Sequence, residues 1–263
     1  MAEISEDLVD VQAGSDERKI RIDKVGVKDI RYPITVKDRS NEAQQTIGTV
    51  NMYVDLPHHF KGTHMSRFLE VLNEHTGRIS VERVPEILRR MRDRLEAETA
   101  HFAVTFSYFM EKKAPITGAS GMMAYECGFE ASSGKMDDFV LSISVPIATL
   151  CPCSKEISDR GAHNQRGNVD VKVRFRGELW IEELVEMVEE SASCDLYPVL
   201  KREDEKFVTE KAFDNPRFVE DIVREVALRF RKDERVNWFQ VSVENFESIH
   251  SHNAYAFIEG ARE

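Results

Sequence analysis

The chain has 263 residues, 41% of them hydrophobic and 32% charged, and 47 acidic against 36 basic residues give a formal net charge of −11. That balance excludes a collagen-like or wholly disordered chain and argues against a nucleic-acid partner, because non-specific binding rests on neutralising phosphates with Lys and Arg. No apolar run approaches the ~20 residues that span a bilayer, the start MAEISEDLVDVQ is acidic instead of basic-then-apolar, and there are only four cysteines. The expectation is a soluble cytoplasmic protein with reduced thiols and no membrane partner.

Residues 1–20 are polar and acidic and are expected to form a mobile tail, leaving 21–263 as a single domain of two modules, about 45–132 and about 137–260. RYPITV, residues 31–36, reads as an edge strand, followed by the polar, turn-rich KDRSNEAQQ. Val50, Met52, Val54 and Leu56 then alternate with Asn51, Tyr53 and Asp55, as a half-buried strand requires. A loop containing HHFKGTHMSR follows, and Val84, Ile87, Leu88, Met91 and Leu95 fall at helical spacing. Two further strands are marked by Phe102, Val104, Phe106 and Tyr108, and by Met123, Tyr125, Cys127 and Phe129.

The second half repeats this order. Phe139, Leu141, Ile143 and Val145 alternate, the loop TLCPCSKEISDRGAHNQRG follows, and Val169, Val171, Val173 and Phe175 alternate strictly with charged residues. WIEELVEMVEE predicts a helix and YPVLKREDEK a polar loop. Asn215 and Pro216 have the form of an N-cap followed by proline, ahead of a helix marked by Phe218, Val219, Ile222, Val223, Val226 and Phe230. Phe239, Val241 and Val243 make a last strand before ENFESIHSHNAYAF. The similar order of elements in the two halves predicts a duplicated α+β module with mostly antiparallel connections.

Chemistry concentrates in four places. Cys151, Cys153 and His163 lie in one polar loop that leaves a strand end; thiolate and imidazole suit zinc and similar divalent ions, and two such donors without a second pair favour an open, catalytic site over a closed structural one. A nucleophilic Cys–His pair is the competing use of the same residues, with Lys155, Arg160 and Arg166 available to hold anionic charge. Glu205 and Glu220 are loop and helix-start carboxylates; acids near a helix N-terminus have a sufficient explanation in the dipole, but a carboxylate accepting two hydrogen bonds also reads the adjacent N–H and NH₂ of guanine. His250 and His252, two apart, would enter one site together if they lay on a strand. The loop with His58, His59, Lys61, His64 and Arg67 is either an anion site or a solvated basic loop.

Taken together, VPIATLCPCSKEISDRGAHNQRGNV, KGTHMSRFLEVL, YPVLKREDEKFVTEKAFDNPRFVED and NFESIHSHNAYA resemble the prokaryotic GTP cyclohydrolase family of type IB, over nearly the whole chain from GVKDIRYPITV onward. The resemblance implies a tunnelling fold (T-fold), two modules of antiparallel sheet with helices on one face. It also implies a homotetramer, a homo-oligomeric barrel with active sites at subunit interfaces. The implied reaction is conversion of GTP and water to 7,8-dihydroneopterin triphosphate and formate, the first step of tetrahydrofolate biosynthesis, with a divalent metal that is zinc, or in some members manganese or iron. Carried over by motif, Cys151, His163 and Glu205 resemble the metal ligands, Cys153 a catalytic thiol, and Glu220 the guanine anchor. His250, His252 and Glu247 resemble the acid/base end of the pocket, and His64, Arg67 and Lys155 its substrate-binding cations. A relative that attacks a deazapurine nitrile through cysteine, and a purine-binding or metal-storing protein without catalysis, are the rival readings; neither releases formate.

Overall fold

The structure, a computed structural model, describes residue 12 and residues 14–75 and 79–262. Most of the tail expected over 1–20 lies outside the described residues; of the rest, Asp16 N–H donates to His59 O at 3.2 Å, and Lys61 N–H donates to Gly14 O at 2.9 Å. The elements in chain order are strands β1 (Ile22–Asp38) and β2 (Glu42–Leu56), helices α1 (Met65–Glu74) and α2 (Val84–Leu95), strands β3 (Ala100–Lys113), β4 (Ser120–Ser133) and β5 (Asp138–Leu150), helix α3 (Pro152–Ile157) and strand β6 (Asn164–Phe175). Helices α4 (Ile181–Glu189), α5 (Arg202–Asp214) and α6 (Val219–Lys232) follow, then strands β7 (Val236–Asn245) and β8 (Ala254–Ala261). The eight strands are ordered in the sheet as in the chain, and β5 to β8 pair antiparallel. The architecture is α+β, as the periodicities predict. Among the described residues no helix is long and apolar enough to cross a membrane.

The chain divides into two compact units, and β3 and β4 each contribute to both. The first takes the described residues of Met1–Lys37, Ala43–Val104 and Glu130–Phe139. Its core is built from Val50, Met52 and Val54 of β2 with Phe68, Val71 and Leu72 of α1 and Ile87, Leu88 and Met91 of α2, all buried. RYPITV belongs to the long strand β1, and part of the expected polar turn after it, EAQQ, pairs as the start of β2. Helix α1 is not among the expected elements, although Phe68, Val71 and Leu72, all buried, fall at helical spacing.

The second unit takes Asp38–Glu42, Thr105–Phe129 and Val140–Glu263. Here Val169, Val171 and Val173 of β6 and Val241 and Val243 of β7 are buried, and α6 packs on β7 and β8 with the rings of Phe230 and Phe239 5.5 Å apart. Helix α4 buries two carboxylates with partners, as buried polar groups require. Tyr108 donates to Glu182 at 2.7 Å, and Lys112 and Tyr125 donate to Glu189 at 2.6 and 2.9 Å. Two expectations need correction. The segment read as the polar loop YPVLKREDEK enters helix α5, whose apolar signal is weak because only Asp204 and Ala212 are buried. Beyond the expected last strand there is another, β8, whose residues are at most half-buried at the sheet edge.

Asp204 anchors α5. It is fully buried and accepts from Ile116 N, Thr117 N and Lys201 N, each at 2.9 Å, and from Thr117 Oγ1 at 2.6 Å. Burial pulls its pKa up, but these donors outweigh it and hold the carboxyl well below the usual carboxylate range. A depressed acid contributes stability above its unfolded value of 3.8 and loses it as pH falls below that value. Asp204→Ala is therefore expected to lower Tm at pH 7 by several degrees, and the gap to the parent should shrink by pH 3; an equal gap at both pH values would contradict this origin.

Candidate active site

Strand β5 runs apolar to Leu150 and delivers Cys151 as the N-cap of α3, with Pro152 in the first turn, where its missing N–H costs nothing. The Cys151 Sγ accepts from Ser154 N at 3.5 Å. Gly161, at φ +111°, adopts a backbone conformation that side chains disfavour and turns the loop back. Cys151 N–H then donates to His163 O at 3.1 Å, which joins the two ends. Cys153 is exposed in the first turn of α3. The remaining cysteines, Cys127 and Cys194, are buried, and burial pushes both thiols up, leaving the loop thiols as the accessible pair.

The His163 ring has Nδ1 3.0 Å from Gln165 Oε1 and 3.4 Å from Ser248 Oγ. Its centroid is 6.5 Å from that of His250, edge to face, and His250 stacks on His252 at 5.2 Å with 19° between planes. The expectation that His250 and His252 share a strand face is wrong. They are exposed in the loop between β7 and β8, and ring stacking, not strand alternation, aligns them.

A cavity of about 370 Å³ lies beside this loop, lined by Cys151, Gln165, Arg217, Phe218, Val219, Glu220, Asn245, Glu247, Ala254 and Tyr255. It brings Cys151, Glu220 and Glu247 together from three separated stretches. Glu220 is the second residue of α6, but the expected Asn215–Pro216 cap does not start that helix. Asn215 instead closes α5, its Nδ2 donating to Ala192 O at 2.9 Å while its Oδ1 accepts from Arg217 Nε at 3.0 Å. The cap of α6 is made by Asp221, which accepts from Phe218 N at 2.9 Å.

Sequence reasoning missed Gln165, Arg217, Asn245 and Tyr255. For two of them a signal exists: Gln165 stands in phase with Val169, Val171 and Val173, and Asn245 in phase with Phe239, Val241 and Val243. Thr149 does the same on β5, in phase with Val145 and Ile147. All three are buried, and the register puts Thr149 opposite Gln165 and Gly167 opposite Asn245. The apolar faces of three strands thus end in polar residues at one end of the sheet. The Thr149 Oγ1 and Asn245 Oδ1 atoms have no hydrogen-bond partner.

The other expected substrate and metal residues are not in the lining of this cavity. Lys155 donates to Phe213 O and sits 4.4 Å over the Phe213 ring, so it ties α3 to α5. His64 and Arg67 belong to the first unit, where Arg67 Nη1 donates to Arg94 O at 3.2 Å. Glu205 is exposed on α5: Asp204 takes the buried position, and one residue onward the helix turns the next side chain by about 100° towards solvent. Among the described residues no group of three or more His, Cys, Asp and Glu side chains is placed to hold a metal ion, so Cys151, His163 and Glu205 are not gathered within the chain. Two donors do suit a divalent ion: the Cys151 thiol, and the His163 imidazole, whose engaged Nδ1 leaves Nε2 available.

Residues 8–256 match the model of a family described as GCHY-1, type I GTP cyclohydrolase folE2. The GTP cyclohydrolase FolE2 of Syntrophobacter fumaroxidans is 56% identical over 257 residues, 97% of this chain and 100% of the relative. That of Magnetococcus marinus is 56% identical over 256 residues, 97% of each chain. FolE2 takes the place of the type IB designation suggested by the sequence resemblance. Among solved structures, the uricase of Arthrobacter globiformis superposes with a TM-score of 0.51 at 8% identity, covering 92% of this chain and 94% of that one. A mutant urate oxidase of Bacillus sp. TB-90 gives 0.55 at 7% identity, covering 92% and 100%. At such identities the likeness is one of fold.

Proposed function

The chain belongs to the type I GTP cyclohydrolase family described as FolE2, and on that footing we propose that the cavity beside Cys151 is where guanine is opened. It is a GTP cyclohydrolase, a hydrolase of folate biosynthesis. The reaction assigned to it takes GTP and water to 7,8-dihydroneopterin triphosphate and formate. The observation that carries the location is the convergence of the Cys151 thiol with the Glu220 and Glu247 carboxylates on one cavity.

Glu220 has two acceptor oxygens for the adjacent N1–H and N2–H₂ of guanine, a pairing that fixes both orientation and identity of the base. Phe218 and Tyr255, both lining the cavity and both exposed, offer ring faces to the purine plane. A first water adds at C8 and C–N cleavage opens the imidazole ring to a formamide, a second water hydrolyses that formamide to formate, and closure of the ribose carbons onto the freed amines returns one water, for a net uptake of one. Cys151 and His163 would hold a divalent metal, zinc or alternatively manganese or iron; Glu205, the further ligand the resemblance implies, is exposed on α5 and does not join them within this chain. When bound, such an ion lowers the pKa of water to about 7 and so supplies hydroxide at neutral pH. Proton transfers fall to His250, the imidazole against His163, with His252 stacked behind it, and to Cys153 and Glu247. The resemblance gives the triphosphate to His64, Arg67 and Lys155; of the basic side chains among the described residues, Arg217 is the one that lines this cavity. The homotetrameric tunnelling-fold barrel and the cytoplasmic setting belong to the same proposal.

The test is formate release from GTP by protein stripped with chelator and resupplied separately with zinc, manganese or ferrous iron. Metal-dependent formate, with a fluorescent pterin after oxidation, is the expected result. No formate with any of the metals, from protein shown to be folded, would overturn the reading.

A further inference from the structure

Gln165 stands where the alternation of β6 calls for an apolar residue, and it is 9% exposed. A polar group in that position costs free energy unless it is hydrogen-bonded. Its oxygen finds its partner in the His163 ring, with 3.0 Å between Oε1 and Nδ1. We propose that Gln165 is a positioning residue. Its amide oxygen accepts the Nδ1–H of His163, selects that tautomer, and leaves Nε2 as the lone-pair nitrogen with the ring held in one plane. The inference rests on the reading of His163 as a metal ligand.

The geometry separates Gln165 from its competitor. Ser248 Oγ is farther from the same nitrogen, at 3.4 Å, on an exposed loop, and a hydroxyl donates as readily as it accepts, so it does not select a tautomer. An amide oxygen only accepts. Gln165 is also fixed by its strand, paired in register with Thr149 of β5. The main chain of His163 is held independently: its N–H donates to Ser154 Oγ at 3.2 Å and its carbonyl accepts from Cys151 N at 3.1 Å. Backbone and ring are therefore positioned by different partners, and removing the amide frees the ring alone. Outer hydrogen bonds of this kind commonly set ligand orientation, and their loss costs about 10–100-fold in metal affinity.

The experiment compares the full chain with Gln165→Leu and Gln165→Glu, the second of which keeps an acceptor. In protein labelled with ¹⁵N-histidine and freed of metal, at a pH where imidazole is neutral, the parent and Gln165→Glu should show His163 as one Nδ1–H tautomer. Gln165→Leu should show a mixture or the Nε2–H form. Zinc affinity, measured by competition with a chelating dye, should fall about 10–100-fold in Gln165→Leu and be retained in Gln165→Glu. An unchanged His163 spectrum in folded Gln165→Leu overturns the proposal. So does an unchanged zinc affinity when Cys151→Ala, run alongside, abolishes zinc uptake. If Cys151→Ala keeps its zinc too, the metal reading is what fails, and the tautomer spectrum decides the role of Gln165 by itself.

Discussion

Replacing Cys151 by alanine is expected to abolish metal uptake and reduce formate release from GTP by roughly 10³-fold or more. The magnitude follows from the several kcal/mol that a bound metal supplies to a hydrolytic transition state, each 1.36 kcal/mol being tenfold in rate. The loss should not come from unfolding. Cys151 is only half-buried, its Sγ accepts a single long hydrogen bond, and the link from its N–H to His163 O survives in alanine. Cys153→Ala is the matched control, since that thiol is exposed and is assigned to proton transfer: metal content should persist while turnover falls. Metal analysis and formate assay on the two variants give the answer. Retention of metal and turnover by Cys151→Ala would remove the residue from the site.

Glu220→Ala should leave metal content intact and lower kcat/KM for GTP by roughly 10²–10⁴-fold. Two hydrogen bonds to a carboxylate are lost, and bonds to charged groups are worth about 1.5–3 kcal/mol each. Glu220 is exposed at the start of α6 and lines the cavity, so the helix should persist, its cap being supplied by Asp221. A sharper consequence concerns the base. Inosine triphosphate lacks the exocyclic amine; the parent should prefer GTP over it by about tenfold or more, and Glu220→Ala should lose that preference. Full activity of the variant, or an undiminished preference for GTP, would end the guanine-anchor role and leave the dipole of α6 as the reason for an acid there.

Much of the fold was legible where one face of an element is buried. The alternation in β2, β3, β4, β6 and β7 and the apolar spacing in α2, α4 and α6 reproduce the observed cores, because a period of two or of 3.6 is the direct imprint of one-sided burial. Helix α5 and strand β8 bury little, so they leave little imprint; α5 is held instead by the four donors gathered on Asp204 from β3–β4 loop and helix-start backbone. Helix α1 did carry an imprint, in the helical spacing of Phe68, Val71 and Leu72. Asn215–Pro216 has the local form of a helix start, yet the tertiary structure uses Asn215 to close the preceding helix and to hold Arg217.

At the site, residue chemistry alone pointed to Cys151, Cys153 and His163, since thiols and imidazole so close in sequence need no folding to be associated. Motifs spread over nearly the whole chain also gave the resemblance to a prokaryotic GTP cyclohydrolase, which the family model and relatives then placed as FolE2. What only the tertiary structure decided is which distant groups join them. Glu220 and Glu247 reach the Cys151 cavity because the ends of β5 and β7 and the start of α6 converge there, and Glu205 does not, because Asp204 takes the buried side of α5. Gln165 and Asn245 emerge the same way: their significance is that they are polar on an apolar face. That cost becomes visible only when the register of three strands shows it falling at one end of the sheet, beside the ring that needs orienting.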